Sequence, residues 1–247
     1  MLLIAAAMEE EVQVALSLCR DLTRVQSQGV SLRQGTRSGR KITFLKAGVG
    51  PRKAAASLER ALEGIQVSHI LVIGYAGALD PELKLGSLVA VGKALLCTLG
   101  EDRQSLEHMR LDSAFELANG EAMVRAATTA GLDACMGDTL TTAHVLGNPE
   151  HKRLLFDKFH ALIVDMETAA LARVAQSRSI PISCIRVVSD EAQDTFLAPF
   201  SYDPSVNIPA RAARIICKGN PVKVYREWRD HASVARTSLG RLLAHYL

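Results

Sequence analysis

Short apolar runs rich in β-branched residues alternate along this chain with longer stretches whose apolar residues recur at helical spacing. The runs predict strands over residues 2–7, 42–47, 69–74, 87–96, 139–146, 161–165 and 180–188. The periodic stretches predict helices over residues 9–19, 52–64, 120–130, 149–158, 167–177, 205–217 and 222–246. Strands and helices taking turns in this way point to an α/β protein, a single three-layer α/β/α domain around a mixed, largely parallel twisted sheet. Residues 98–119 are charge-rich and show neither period, which predicts a long surface excursion.

Composition changes this picture little. With 247 residues and 48% hydrophobic content, the chain can bury a sizeable core as one domain. The apolar N-terminal run is too short to span a bilayer and is followed by acid rather than by a small-residue cleavage site, so the chain reads as cytoplasmic. Its five cysteines stand far apart without paired CxxC spacing, as reduced core residues would. The formal charge of +3 is local: residues 211–247 hold eight basic residues against the two acids Glu227 and Asp230, and the remainder is slightly acidic. No basic face interleaved with aromatics argues for a nucleic-acid partner.

Two glycine-bearing turns follow strands, KAGVGPRKAAA (residues 46–56) and VIGYAGALDPELKLGSLV (residues 72–89). The first places Lys53 where a dinucleotide fingerprint needs its third glycine, and the second lacks the Lys-Ser/Thr of a P-loop. Acids gather at three predicted strand ends. Glu9, Glu10 and Glu11 follow the first strand, Glu167 lies in VDMETAALARVA after the sixth, and Asp190 lies in IRVVSDEAQD after the seventh. Ligands of open α/β sheets bind outside the carboxyl ends of the strands, so these acids are candidates for one pocket.

Each acid has an ordinary alternative as a helix-start residue, worth about 0.3–1 kcal/mol. For Glu9 and Glu10 that reading is preferred, as solvated first-turn residues; for Ser189 and Asp190 an N-cap and a catalytic role stand level. Glu167 precedes a run of small apolar residues, so its helix start is expected to be buried and its carboxylate to need hydroxyl or amide partners. Carboxylates without a GxSxG elbow or an HExxH pair favour glycosidic chemistry, in which one acid protonates the leaving group and one base orients water.

The motifs AAAMEEEV, KAGVGPRKAA, IGYAGAL, VDMETAALA and RVVSDEA, in this order within residues 1–200, resemble the nucleoside phosphorylase and nucleosidase superfamily. Within it the resemblance is to the 5'-methylthioadenosine/S-adenosylhomocysteine nucleosidases. The tail KGNPVKVYREWRDHASVARTSLGRLLAHYL is similar to a sibling branch, hopanoid-associated enzymes thought to act on adenosylhopane. The resemblance implies that Asp190 protonates the purine at N7 with Ser189 in support. It implies that Glu11 orients the attacking water and that Glu167 holds the ribose hydroxyls, with Met166 packed on the sugar. Val49 and the backbone of Ala76 and Gly77 would line the ribosyl and water side, Arg186 would orient the acids, and Phe200 would be an aromatic wall. Three departures stand out. Tyr75 occupies a position that is usually Ser or Thr, Asp165 replaces a glutamate, and TTAHVLGN (residues 141–148) lacks a base-stacking phenylalanine, leaving Val145 or Leu146 for that place. His144 reads as a core or rim histidine in preference to a base reader.

Phosphorolytic members hold phosphate with cations after the first strand and before the glycine-rich turn after the third. Residues 5–12 and 70–79 contain no basic residue, Arg52 reads as part of a solvated helix face, and adjacent glutamates would repel phosphate. Water is therefore the expected nucleophile, phosphorolysis the alternative, and a nucleoside sensor without turnover a third reading. In the last helix Val224, Trp228, Ala232, Ala235, Leu239, Leu242, Leu243 and Tyr246 share one stripe, with arginines elsewhere. This helix either packs on the core or lays a basic amphipathic face on an anionic membrane. No metal or organic cofactor is expected, and the resemblance implies a homodimer.

Overall fold

The computed structural model describes residues 1–98, 108–195 and 221–247, without the side chains of 221–228. Its strands are β1 (Leu2–Ala6), β2 (Arg20–Ser27), β3 (Val30–Arg37), β4 (Arg40–Lys46), β5 (His69–Ala78), β6 (Leu88–Thr98), β7 (Arg110–Glu116), β8 (Ala134–Thr141), β9 (Ile163–Asp165) and β10 (Ile182–Asp190). Its helices are α1 (Glu9–Leu16), α2 (Pro51–Gly64), α3 (Gly120–Thr129), α4 (Pro149–Phe159), α5 (Thr168–Ser177) and α6 (Pro221–Tyr246).

β1 lies between β4 and β5, parallel to both, and its Leu3, Ile4 and Ala5 are buried. Such a strand has to be apolar on both faces, which is why it reads as a continuous run rather than an alternation. On the outer side β4 continues antiparallel into β3 and β2. On the inner side β5 pairs with both β10 and β9, and the path β5–β10–β6–β8–β9 returns to β5, closing part of the sheet into a ring. β7 adds to β6.

Two helical layers cover this sheet. α2 and α5 pack on the face that carries Leu3, Ala5 and Val72, and α1, α3 and α6 on the face that carries Ile4, Ile73 and Ile185. α4 lies against a smaller cluster at the side of the ring, where Leu155 meets Leu140 and Ala161. The later part of the α6 stripe packs on the core: Ala235, Leu239, Leu242 and Leu243 are fully buried in the α1/α3 layer, while the side chains of Val224 and Trp228 lie outside the described residues. Arg241 Nη2 donates to the Ala130 carbonyl at 2.7 Å, and Arg37 Nη2 to the Ala244 carbonyl at 2.6 Å. Among the described residues no helix is long and apolar enough to cross a membrane.

Several expectations need correction. β2 and β3 were not foreseen, because β2 is exposed along nearly its whole length and shows no apolar alternation. The presumed excursion of residues 98–119 contains β7, whose Phe115 is buried in the core. The strand expected over 139–146 is β8 instead, which ends at Thr141, so Val145 lies in the following loop, more than a third exposed, and Leu146 is the one buried. Phe200 and the helix expected over 205–217 lie outside the described residues, as does Cys217; the other four cysteines are free thiols, Cys97 and Cys184 buried.

Candidate active site

The carboxyl ends of β1, β5, β9 and β10 meet, and four acids converge there. Glu11, Asp165, Glu167 and Asp190 are each at most 5% exposed. Their positions follow from local rules applied at different places in the chain.

Glu11 is the third residue of α1. Its Oε2 accepts the Met8 N–H at 2.7 Å, which is ordinary capping of a helix start, while its Oε1 accepts the Tyr75 N–H of β5 at 3.0 Å. Capping thus aims this carboxylate across the sheet. Burial raises its pKa, and Arg186 and the two N–H donors offset that rise in part. The other glutamates divide. Glu9 is exposed and pairs with Arg33, whereas Glu10 is half-buried, with Oε1 buried and without a hydrogen-bond partner among the described residues. The expectation that Glu10 is a solvated residue therefore fails, and burial raises its pKa as well.

Glu167 occupies the N-cap position of α5, but its side chain makes no capping bond to that helix; its Oε1 instead accepts the Gly50 N–H at 2.9 Å. This supplies the amide partner that a buried carboxylate requires. Burial pushes its pKa up to about 7, against the pull of Arg186. Asp165 holds the helix start from below: it accepts from Thr141 Oγ1 at 2.7 Å, from the Glu167 and Thr168 N–H groups at 3.2 Å, and from the Thr168 hydroxyl. Arg186, 1% exposed, is the cation shared by this group, with Nε 3.0 Å from Asp165 Oδ2 and Nη2 3.6 Å from Glu167 Oε2. Burial disfavours its charge, but the surrounding acids, Asp165 foremost, outweigh that and hold its pKa above the ordinary value. Gly74 makes the approach possible, because a Cβ there would run into Arg186 Nη1 and lie 2.7 Å from Glu11 Oε1.

Asp190 closes β10. The register Val188↔Ala76 jumps to Asp190↔Gly77, so Ser189 is bulged out and the acid faces a glycine. The Ser189 hydroxyl lies 3.0 Å from Asp190 Oδ1 and 3.2 Å from the Ala76 carbonyl, to one of which it donates. The partner of Oδ2 is a residue that sequence reasoning missed: Lys152 of α4, fully buried, with Nζ at 2.6 Å. A signal was present, since Lys152 stands at helical spacing with Leu155, Phe156 and Phe159 on the stripe that α4 buries.

Among the remaining candidates, Val49 and Met166 are half-buried beside Gly50 and Glu167. Ala76 and Gly77 contribute backbone at the end of β5. Tyr75 offers its N–H to Glu11, whereas its ring joins the cluster beneath α1 and α6. His144 is an exposed rim residue. A cavity of about 560 Å³ at the opposite edge of the sheet, lined by Met1, Arg40, His69 and Asn119 among others, contains none of these acids.

A mixed α/β sheet that carries capped, buried carboxylates at adjacent strand ends defines a class of proteins built for acid–base chemistry on a small ligand. Residues 2–245 match the phosphorylase superfamily, and the chain belongs to that family. It is 29% identical over 208 residues to the 5'-methylthioadenosine/S-adenosylhomocysteine nucleosidase of Geobacillus thermodenitrificans, a match covering 76% of this chain and 83% of that protein. Its fold is similar to the nucleosidase of the same description from Neisseria meningitidis in complex with methylthio-immucillin-A, with a TM-score of 0.77 and 19% identity over 99% of this chain and 97% of the other. It is also similar to a futalosine hydrolase mutant of Helicobacter pylori, with a TM-score of 0.64 and 20% identity over 76% and 88% of the two chains.

Proposed function

We propose that this protein hydrolyses the N-glycosidic bond of a purine nucleoside, with adenine as the base and an apolar group at the 5' position. The observation that carries the reading is the convergence of Glu11, Glu167 and Asp190 at one sheet edge, each held by backbone or ion-pair partners. Glu11 takes a proton from the attacking water, Glu167 accepts from the ribose hydroxyls, and Asp190 protonates the leaving base. Relatives described as methylthioadenosine/adenosylhomocysteine nucleosidases support the substrate class.

Water is favoured over phosphate by the state of the cations. Among the described residues the two buried cations at this edge, Arg186 and Lys152, are committed to Asp165, Glu167 and Asp190, and Arg52 is exposed. A phosphate brought beside these acids would meet like charge in a low-dielectric site. The test is base release from 5'-methylthioadenosine, adenosine and a lipid-tailed adenine nucleoside, with and without phosphate. Free adenine and free sugar at equal rates in both buffers is the expected result. Ribose 1-phosphate as product overturns hydrolysis, and tight binding without base release supports a sensor instead.

The lipid-tailed substrate rests on the tail's resemblance alone. Since α6 buries Ala235, Leu239, Leu242 and Leu243, a lipid surface can be tested only on the full chain, by vesicle flotation. Removing the helix would strip the core.

A further inference from the structure

Lys152 is an ammonium standing where its helix stripe calls for an apolar side chain, and two acceptors hold it there. It is 0% exposed, and its Nζ lies 2.6 Å from Asp190 Oδ2 and 2.6 Å from the Glu191 carbonyl oxygen. Burying an unpaired ammonium is costly, so the lysine is bound to this acid as firmly as the acid is to the lysine.

This pairing conflicts with Asp190 acting alone. A group that protonates a leaving base must hold a proton, yet the group 2.6 Å from Asp190 Oδ2 is an ammonium, a neighbour that itself carries the proton of the pair. The described donors to Asp190 are Lys152 and Ser189, and a serine hydroxyl does not release its proton at neutral pH. We propose that the general acid of this site is the Lys152–Asp190 pair, in which Lys152 stores the proton that Asp190 delivers to the purine. The inference rests on the nucleosidase reading above and deepens it.

The step balances. An N–H bond of Lys152 breaks, its electron pair stays on Nζ, and the proton forms an O–H bond at Asp190 Oδ2. That O–H bond then breaks as the N7 lone pair takes the proton, while the electrons of the N9–C1' bond pass to the purine, which leaves neutral. Water bonds to C1' and gives a proton to Glu11. Lys152 ends neutral and Glu11 protonated, so the total charge is unchanged until solvent restores both. Burial makes the first transfer accessible, because moving the proton from nitrogen to oxygen removes two charges from a medium that solvates them poorly.

Among the described residues the charged groups around the pair are few. Glu191 and Asp194 lie at and beyond the end of β10, where Glu191 Oε1 accepts from the Leu85 N–H, Oε2 is 3.8 Å from Lys84 Nζ, and the Glu191 N–H donates to Asp194. On α4 the neighbours His151 and Arg153 are exposed. Across the site stand Glu11 and the Arg186 group with Asp165 and Glu167.

The test is kcat/KM against pH for adenine release by wild type, Lys152→Met, Lys152→Arg and Asp190→Asn. In Lys152→Met the acid is Asp190 with its own proton, so the alkaline limb should move down by about one pH unit or more, and the loss of rate should deepen as pH rises, reaching about tenfold or worse near pH 8. In Lys152→Arg the charge is kept but a guanidinium does not give up its proton, so kcat should fall about 100-fold or more at every pH. Lys152→Met that loses rate equally at every pH, or Lys152→Arg that keeps near-normal kcat, overturns the inference and leaves Lys152 as a prop for Asp190.

Should unpairing the charge unfold Lys152→Met and Asp190→Asn, infrared difference spectra of wild type with and without 13C-labelled aspartate decide the resting state. No protonated-carboxyl band from Asp190 at neutral pH is expected, and such a band overturns the inference. Wild type that releases no base from any nucleoside overturns the nucleosidase reading and this inference with it. An active wild type with unmoved limbs in Lys152→Met overturns this inference alone.

Discussion

The Tyr75 N–H donates to Glu11 Oε1 at 3.0 Å, tying the start of α1 to the end of β5 across 64 residues of chain. With the Met8 N–H on Oε2, both oxygens are held, and each keeps a lone pair for a water molecule.

Glu11→Gln tests that arrangement. The amide has one oxygen for two backbone donors and cannot take a proton from water, so base release should fall about 100-fold or more. Circular dichroism should show an unchanged fold. Near-normal turnover would remove Glu11 from the water-activating role.

Gly74→Ala should act on two side chains at once. Its Cβ would press on Arg186 Nη1 and stand 2.7 Å from Glu11 Oε1, so we expect a loss of about 1–3 kcal/mol in urea unfolding together with a loss of rate. Gly77→Ala places a Cβ 2.9 Å from Asp190 Oδ2, and its effect should fall more on rate than on stability.

The pH dependence of stability should carry the signature of Glu167. Its carboxyl titrates near 7 in the folded chain against 4.5 for the ordinary group, so between these values the folded state binds more protons than the unfolded state. Stability contributed by this residue is therefore full below about pH 4.5 and declines as pH rises through about 7. Glu167→Gln should flatten that decline, gaining more over wild type at pH 8 than at pH 4 in urea midpoints. An identical pH slope in both proteins would contradict the assignment.

Asp165→Asn should be costly for a reason unrelated to direct chemistry. It removes the closest negative partner of buried Arg186, leaving Glu167 at 3.6 Å, and breaking one side of a buried pair typically costs about 3–5 kcal/mol. Chemical unfolding reads this directly.

Leu239→Ala should destabilise the chain by about 2–5 kcal/mol, as expected for a fully buried leucine, although it lies in the helix that sequence alone left free to face lipid. A change near zero would show that α6 is detachable.

Glu11, Glu167 and Asp190 were readable as candidates in the sequence because each lies at or a few residues beyond the end of an apolar strand, and strand ends are marked by signals that span only a few residues. The same short-range signals located β1, β5 and α2, whereas the choice of Glu11 over Glu9 rested on the family resemblance. Glu10 was misplaced because one turn of helix does not reveal what packs over it. β2 and β3 were missed because an exposed edge hairpin needs no apolar alternation. Their pairing with β4 fixes them instead.

By itself, then, the sequence determined the alternation of elements, the acids at the strand ends and the class of chemistry they allow. Only the tertiary structure decided the electrostatics. That Arg186 serves three acids, that Ser189 bulges so that Asp190 meets Gly77, and that Lys152 reaches Asp190 from 38 positions upstream all depend on strand register and helix placement. Apolar period and helix capping act over one or two turns, whereas the charge state of a buried group is set by whatever the completed fold brings within a few ångströms.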